Sequence, residues 1–415
     1  TCAVPISHTC NNSITIPSFF SNRYRDEKKM LQVIAAIFIV IFFIPYTASG
    51  FAACGKLFSS LFGVKYLTAM IISAIVIVAY TTLGGFLAAS TTDFIQSIIM
   101  SVALIVVLIF GVETAGGIGA VIHNASELPG YLSMTLSYDV NTGKAAPYSA
   151  LTIVSTAAWG LGYFGMPHIL LRFMAIEDEK KLKLSRRVAT IWVVISLFVA
   201  VFIGVIGYTM SKVGALEMLT GSNSETIIVK ISALLSQHGV IFALLAGVIL
   251  AGILASTMST SDSQLLAASS AVSSDILGAF RKDSSNKNGS MAAARITLLV
   301  ISVVAAFIAR NPDSSVFAIV SFAWAGFGAA FGPVVLFSLF WKRTNKWGAL
   351  AGMVCGGSMV FIWKYLIRPL GGIWNIYELL PAFLIACAAI VIVSLLTPKP
   401  SKEIEEEFDR VAQMK

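Results

Sequence analysis

The stretch "GVIFALLAGVILAGILASTMSTSDSQLLAASS" at residues 239–270 decides the fold class of this chain. Residues 239–254 are almost entirely apolar, and hydroxyl and carboxyl side chains then crowd the following turns. An apolar run of about 20 residues lets a helix cross the hydrocarbon core of a membrane, which is about 30 Å thick. We therefore interpret this stretch as a membrane-spanning helix that ends in a polar cluster.

The composition extends this interpretation to the whole chain. Of its 415 residues, 57% are hydrophobic and only 12% are charged, whereas a soluble domain carries roughly 25% charged residues. Similar apolar runs predict an all-α polytopic membrane protein with about ten transmembrane helices. The predicted spans are 30–52, 66–88, 93–113, 149–169, 188–210, 238–262, 291–309, 314–340, 347–366 and 375–396.

The basic residues predict an orientation for these spans. If the segment before residue 30 is cytoplasmic, then 21 of the 29 Lys and Arg residues lie on the cytoplasmic side, as the positive-inside rule requires. This predicts a cytoplasmic loop at 1–29, a transmembrane domain at 30–396 and a cytoplasmic tail at 397–415. The net charge of +8 then reflects contact with membrane lipid, and we expect no nucleic-acid partner.

The connections between spans carry fewer signals. Residues 114–148 contain "TAGGIG" and "LPGYLS", which predict short interfacial helices on the outer face, and residues 211–237 form a second outer connection. The tail after residue 396 begins with two prolines and predicts a short solvated helix. The five cysteines show no metal-ligand spacing and suggest no disulfide framework. Because the chain opens on a polar segment, we expect that helices of a longer protein precede it.

Two spans are rich in glycine: "AAWGLGYFGMPH" (157–168) and "SFAWAGFGAAFGPVV" (321–335). Such a span either packs closely against its neighbours through small residues or breaks where it lines a cavity. In the first stretch Trp159, Tyr163 and Pro167 recur every four residues, so one face of an interrupted helix would present two aromatic rings. An interrupted helix near the middle of the membrane is typical of a transport site.

The polar cluster predicts an ion site. Ser256, Ser259, Thr260 and Ser263 follow the i, i+3, i+4, i+7 spacing and so share one helical face. Hydroxyl and carbonyl oxygens are hard ligands that suit a monovalent cation such as sodium. The alternative is that these hydroxyls only bond back to carbonyls one turn earlier in the helix.

Two carboxylates lie in or beside spans, where charged groups are costly and tend to be functional. Asp93, in "STTD", is interpreted either as a helix cap or as an ion ligand. For Asp262 we expect a polar, water-facing role. The sequence contains no Ser/His/Asp or paired-carboxylate constellation, so nothing in it predicts an enzyme.

Several motifs together resemble the sodium/solute symporter family, and most closely its bacterial members that carry proline. They are "TIPSFFSNRY" (15–24), "WGLGYFGMPHILLRFMA" (159–175), "MSTSDSQLL" (258–266), "SFAWAGFGAAFGPVVLFS" (321–338) and "WKRTNKWGALAGM" (341–353). The resemblance implies a five-plus-five inverted-repeat transporter fold whose first helices are missing. It assigns 30–113 to the remaining first repeat, 149–340 to the second repeat and 347–396 to extra helices.

The same resemblance implies sodium-coupled symport of L-proline by alternating access in a bacterial inner membrane. Sodium would be the coupling ion, with no other cofactor and no obligate protein partner. A different amino acid or pantothenate as the solute, or a sensor or channel role, stay open as alternatives.

Carried over motif by motif, the resemblance also implies site residues. Substrate contacts fall on Tyr46, Trp159, Tyr163 and Pro167; sodium ligands on the Ser256 carbonyl, Ser259 and Thr260; a second sodium ion or a coupling role on Asp93; and an outer lid on Trp324, Phe327 and Phe331. Two residues depart from the family pattern: Met166 stands where proline carriers have glutamine, and Asp262 where relatives tend to have serine.

Overall fold

The computed structural model describes residues 13, 15–140, 142–176, 178–280 and 287–413, with side chains omitted at 85–88, 179, 222 and 287–290. The helices are α1 (Ile16–Arg23), α2 (Met30–Phe62), α3 (Tyr66–Thr114), α4 (Ile118–Ser126), α5 (Ala150–Ala157), α6 (Pro167–Met174), α7 (Leu182–Lys212), α8 (Ile227–Leu235), α9 (Val240–Ser270), α10 (Lys287–Ile308), α11 (Val316–Phe340), α12 (Lys346–Ile362), α13 (Leu379–Leu396) and α14 (Lys402–Gln413). One hairpin pairs β1 (Leu136–Asp139) with β2 (Lys144–Pro147).

Within the described residues, nine helical segments are long and apolar enough to cross a membrane. They correspond to nine of the ten predicted spans. The tenth, predicted at 149–169, is helical but interrupted, because a 3₁₀ segment (Ala158–Gly165) separates α5 from α6. The protein is therefore a helical, multi-pass membrane protein.

Helix α3 contains two of the predicted spans in one continuous helical run. A straight helix of its 49 residues would measure about 73 Å at 1.5 Å per residue, more than twice the thickness of the hydrocarbon core. Its contacts with α9 show that it turns back on itself. The first arm runs parallel to α9, since Ser73 and Ile77 line one cavity with Leu254 and Met258 and Tyr80, further along, meets Asp262. The second arm runs antiparallel to α9, from Ala103 at Gly252 to Phe110 at His238. Two antiparallel crossings result, as the sequence predicted.

Helix α9 runs further than expected. Instead of ending in the polar cluster, it continues through Ser270, then through a π-helical turn (Ala271–Ile276) to a last turn (Leu277–Phe280). The prediction of a helix end near residue 262 is therefore wrong. Serine and threonine side chains can bond to carbonyls one turn back, so the cluster lies inside the helix and leaves its backbone ladder intact.

Helix α11 forms the centre of the bundle. Of its 18 most apolar consecutive residues, 78% are buried, whereas the same measure for the Ala89–Thr114 crossing is 17%. The helix is continuous through Pro333, so close packing through small residues is the correct interpretation of its glycines. A Cβ on Gly326 would lie 2.2 Å from the Phe42 ring, and one on Gly328 would lie 2.7 Å from Leu379.

Two faces of the bundle can be told apart. We call the face that carries α1 and α14 the tail face, because Arg25 and Glu407 form an ion pair there at 2.8 Å. Residues 15–24 were predicted as part of a loop but form the capped and largely buried helix α1. The tail helix α14 was predicted to be solvated, yet it buries Ile404 and Val411 against the bundle.

The opposite face, called the hairpin face, carries the longer connections. Helix α4 fits the predicted interfacial helix, whereas the β1–β2 hairpin that follows it was not predicted. A 3₁₀ turn (Gly221–Thr226) contacts the first turn of α11 through Glu225, and α8 follows it in the chain. Cys2 and Cys10 lie outside the described residues.

Candidate functional site

The interrupted helix brings two aromatic side chains onto a third. The Nε1–H of Trp324 donates to the carbonyl of Trp159 (2.9 Å), and the two indoles stack with centroids 5.5 Å apart. Tyr163 meets Trp324 edge to face, with centroids 4.8 Å apart. A 3₁₀ segment has 3.0 residues per turn, so Trp159 and Tyr163 point in different directions, and they meet Trp324 in different geometries, one stacked and one edge to face. They do not share one face, as their four-residue spacing would require in an α-helix.

Two glycines make this approach possible. A Cβ on Gly162 would lie 1.9 Å from Nε1 of Trp324, and one on Gly165 would lie 2.2 Å from the carbonyl oxygen of Phe327. Both distances are far below van der Waals contact. Gly162 and Gly165 therefore let the interrupted helix lie directly against α11.

A second group of residues lies where α6 begins. Pro167 is the first residue of that helix, and Met166 before it is fully buried. Tyr46 projects from α2, and its ring lies edge-on to His168 with centroids 6.1 Å apart. The predicted substrate residues thus occupy two elements, α2 and the interrupted helix, that meet at the break.

The oxygen cluster on α9 has the predicted geometry. The Ser256 carbonyl accepts hydrogen bonds from Thr260 Oγ1 (3.0 Å) and Ser259 Oγ (3.2 Å), so three oxygens converge. The face that carries Ser256, Ser259, Thr260 and Ser263 is partly or fully exposed. Both hydroxyls do bond back along the helix, yet they keep lone pairs that can accept a cation.

Asp93 is neither a helix cap nor free. It lies inside α3, and its carboxylate accepts from the guanidinium of Arg172 on α6. Arg172 also donates to Ser263 Oγ at 2.9 Å. One arginine of α6 thereby contacts both the second crossing of α3 and the hydroxyl-bearing face of α9. The sequence did not predict this contact, because Arg172 reads as one more basic residue beside a span.

Asp262 departs from its expected environment. Its side chain is fully buried, and its oxygens accept from Tyr80 (3.1 Å) and Ser263 (3.3 Å). The prediction of a water-facing Asp262 is wrong because its position on α9 points toward the first crossing of α3. Tyr80 was not identified from the sequence, since nothing local distinguishes it from other aromatic residues in spans.

The predicted lid residues are spread along α11. Trp324 contacts the interrupted helix, as described above. Phe327 packs on Phe43 of α2, with ring centroids 4.4 Å apart, and Phe331 stacks on Phe20 of α1 at 6.1 Å. Only Trp324 lies against the aromatic residues of the break, whereas Phe331 reaches the tail face.

A bundle of membrane helices with an interrupted member, flanked by aromatic rings and by a helix lined with hydroxyls, defines a membrane transporter. The described residues hold no group of three His, Cys, Asp or Glu side chains suited to a metal ion. The model of the Sodium:solute symporter family matches residues 4–356. The chain belongs to that family.

Individual relatives agree with this assignment. The osmoregulated proline transporter OpuE of Bacillus subtilis is 38% identical, covering 95% of this chain and 77% of its own length. The sodium/proline symporter of Salmonella typhimurium is 38% identical (96% and 76%), and the high-affinity proline transporter PutP of Bacillus subtilis is 39% identical (96% and 80%). These relatives are transporters rather than enzymes.

A solved structure agrees with the fold. A Na⁺-coupled sialic acid symporter in a substrate-bound outward-open state matches with a TM-score of 0.74 at 16% identity, covering 96% of this chain and 80% of that one. The five-plus-five inverted-repeat transporter fold implied by the sequence motifs is confirmed.

Proposed function

We propose that this protein carries L-proline into the cell by sodium-coupled symport through alternating access. The observation that carries the proposal is the meeting of Trp159, Tyr163 and Trp324 at a helix break. The relatives support the same solute: at 38% identity over nearly the whole chain, one is named as a proline transporter and the other as a sodium/proline symporter.

The aromatic group suits the chemistry of proline. Its pyrrolidine ring is apolar and its secondary ammonium is a cation, which aromatic faces attract. The carboxylate would lie near the start of α6 at Pro167, since the amino end of a half-helix carries a partial positive charge. Tyr46 would close the site from α2.

Sodium would bind at the Ser256 carbonyl, Ser259 and Thr260. Support comes from the convergence of three hard oxygens on a helix face that is partly or fully exposed. Asp93 would serve a second sodium ion or the coupling, and its bond to Arg172 gives it a physical link to α6. Coupling then requires that each ligand favour the same closed state.

The tail face would be cytoplasmic, in a bacterial inner membrane. The ion pair between Arg25 and Glu407 puts the segment before α2 and the helix after α13 on one side, as the loop-and-tail boundaries at 1–29 and 397–415 require. The basic residues are concentrated on that side, in agreement with the positive-inside rule. Trp324 would then belong to the outer lid, and residues 30–396 would form one transport domain.

The test is uptake of radiolabelled proline by cells that lack their own proline carriers, with sodium and then with choline in the medium. Accumulation above the equilibrium level that requires sodium is expected. Equal uptake in choline by protein shown to be in the membrane would refute sodium coupling.

A different solute of similar size is the second candidate, because the fully buried Met166 departs from the glutamine expected beside the site. Competition of labelled uptake by a panel of amino acids and by pantothenate separates the two candidates. Proline should be the strongest competitor.

A further inference from the structure

The turn before α13 reaches the substrate region from outside the two repeats. Tyr377 is buried, with 9% of its surface exposed. Its ring stacks on Trp159, with the ring centroids 5.8 Å apart and the planes 15° from parallel. No motif in the sequence had drawn attention to this residue. The turn before α13 therefore contributes an aromatic ring to the surroundings of a proposed substrate residue.

The polar atoms of Tyr377 are also committed. Its hydroxyl donates to the carbonyl of Ser321 on α11 (2.6 Å), and its backbone N–H donates to Ser155 Oγ on α5 (3.0 Å). One residue thus touches the helix before the break, the break itself and the outer turns of α11.

The turn that carries Tyr377 is itself held by charge. The neighbouring Glu378 is fully buried and pairs with Arg368 at 2.9 Å and with Lys364 at 3.8 Å. Buried ion pairs with defined partners fix geometry, because removing one member leaves an uncompensated charge. Tyr377 is therefore mounted on an anchored turn, and its ring has a defined position.

More than one nearly parallel ring stacks on Trp159. Besides Tyr377 and Trp324, the ring of Phe317 stacks on it at 5.4 Å, but Phe317 is 67% exposed and offers a weaker support. The buried Trp324 stacks on the indole and donates to the Trp159 carbonyl. Tyr377 is a second buried ring on the indole, from the side of α13.

We propose that Tyr377 is a positioning residue for substrate binding, which acts by fixing the Trp159 indole and by tying α5, the helix break and α11 together. This inference rests on the proposed function. The ring would set the affinity for proline, while the hydroxyl would set how readily the outer part of α11 moves during the transport cycle.

The test compares Tyr377→Met, which keeps bulk but removes the flat ring, with Tyr377→Phe, which keeps the ring and removes the hydroxyl. Tyr377→Met should raise KM for proline by about 3- to 10-fold, as expected for loss of an aromatic stack. Tyr377→Phe should keep KM within about twofold of wild type and change the maximal rate. The sodium concentration for half-maximal uptake at saturating proline should stay unchanged in both.

The matched control is Tyr365→Met, since Tyr365 lies nearby but is 60% exposed; its KM should match wild type. Uptake is normalised to the amount of protein in the membrane, and Tyr377→Leu, which also lacks a flat ring, replaces the Met variant if that variant is not inserted. An unchanged KM in the Met or Leu variant, or an equal rise in Tyr377→Phe, would overturn the positioning role. Absence of sodium-dependent proline uptake in the wild type would instead refute the proposed function.

Discussion

At the scale of single residues, the oxygen cluster on α9 separates side-chain from backbone ligands. Ser259 and Thr260 offer hydroxyls, whereas Ser256 offers its carbonyl. The Ser259→Ala, Thr260→Ala double variant should raise the sodium concentration for half-maximal uptake at least about tenfold, which corresponds to roughly 1.4 kcal/mol of ion binding. Ser256→Ala keeps the carbonyl and should match wild type. Sodium titration of proline uptake measures both, and an equal shift in the two variants would refute the assignment.

Gly162 and Gly160 form a second matched pair. A Cβ at Gly162 would overlap the Trp324 indole, whereas one at Gly160 meets no atom within 4 Å. Gly162→Ala must therefore push α11 away from the break, at a cost of about 1–3 kcal/mol for overpacking, and we expect it to abolish most uptake. Gly160→Ala should transport normally. The measurement is proline uptake per molecule inserted in the membrane. Full activity in Gly162→Ala would contradict the close contact.

Local patterns predicted the parts of the site that depend on one element. The hydroxyl face of α9 followed from helical spacing, and the helix break followed from its glycines and proline. Pairs between distant elements could not be predicted: Arg172 meets Asp93 across 79 positions, and Tyr80 meets Asp262 across 182. Nothing in either local sequence specifies such a partner, because tertiary packing alone brings the groups together.

At the scale of elements, the first turn of α11 is held by a carboxylate from a neighbouring loop. Glu225 accepts from Lys56 Nζ (2.8 Å) and Ser315 Oγ (2.9 Å), and its oxygens lie 3.4–3.5 Å from the backbone N–H groups of Val316 and Phe317. A negative charge at a helix amino end is favourable. Burial raises the pKa of Glu225, but the hydrogen bonds and the Lys56 charge outweigh it and hold the pKa below its ordinary value of 4.5.

We therefore expect Glu225→Gln to lower the free energy of unfolding by about 1 kcal/mol at neutral pH. Because the folded pKa of Glu225 is depressed, its contribution is present above pH 4.5 and is lost as the pH falls through the folded pKa. The difference in the free energy of unfolding between Glu225→Gln and wild type should therefore vanish below that folded pKa. Thermal unfolding of purified protein across this pH range measures it. Glu217→Gln removes an exposed partner of Lys230 and should cause no measurable change.

The order of spans was predictable because each apolar run signals its own crossing. The sequence did not predict the continuous helix through Tyr66–Thr114 or the β1–β2 hairpin. The hairpin lacks apolar alternation, since β2 reads "KAAP". The two crossings of α3 were predicted from their apolar runs, but the turn between them contains glycines and no proline, so the sequence did not show that helical structure continues through it.

At the scale of the whole molecule, the two faces make opposite predictions for accessibility. Lys144 lies on the hairpin face and Lys399 precedes α14 on the tail face, and both are exposed. In a variant with its native cysteines replaced by serine, Lys144→Cys should react with a membrane-impermeant maleimide in intact cells. Lys399→Cys should react only after the membrane is permeabilised, because basic segments stay in the cytoplasm. The serine background itself, treated in parallel, gives the level of unspecific labelling. If only Lys399→Cys is labelled in intact cells, the orientation is the opposite of the one proposed. Trp324 and Glu225 would then not lie on the side from which proline enters.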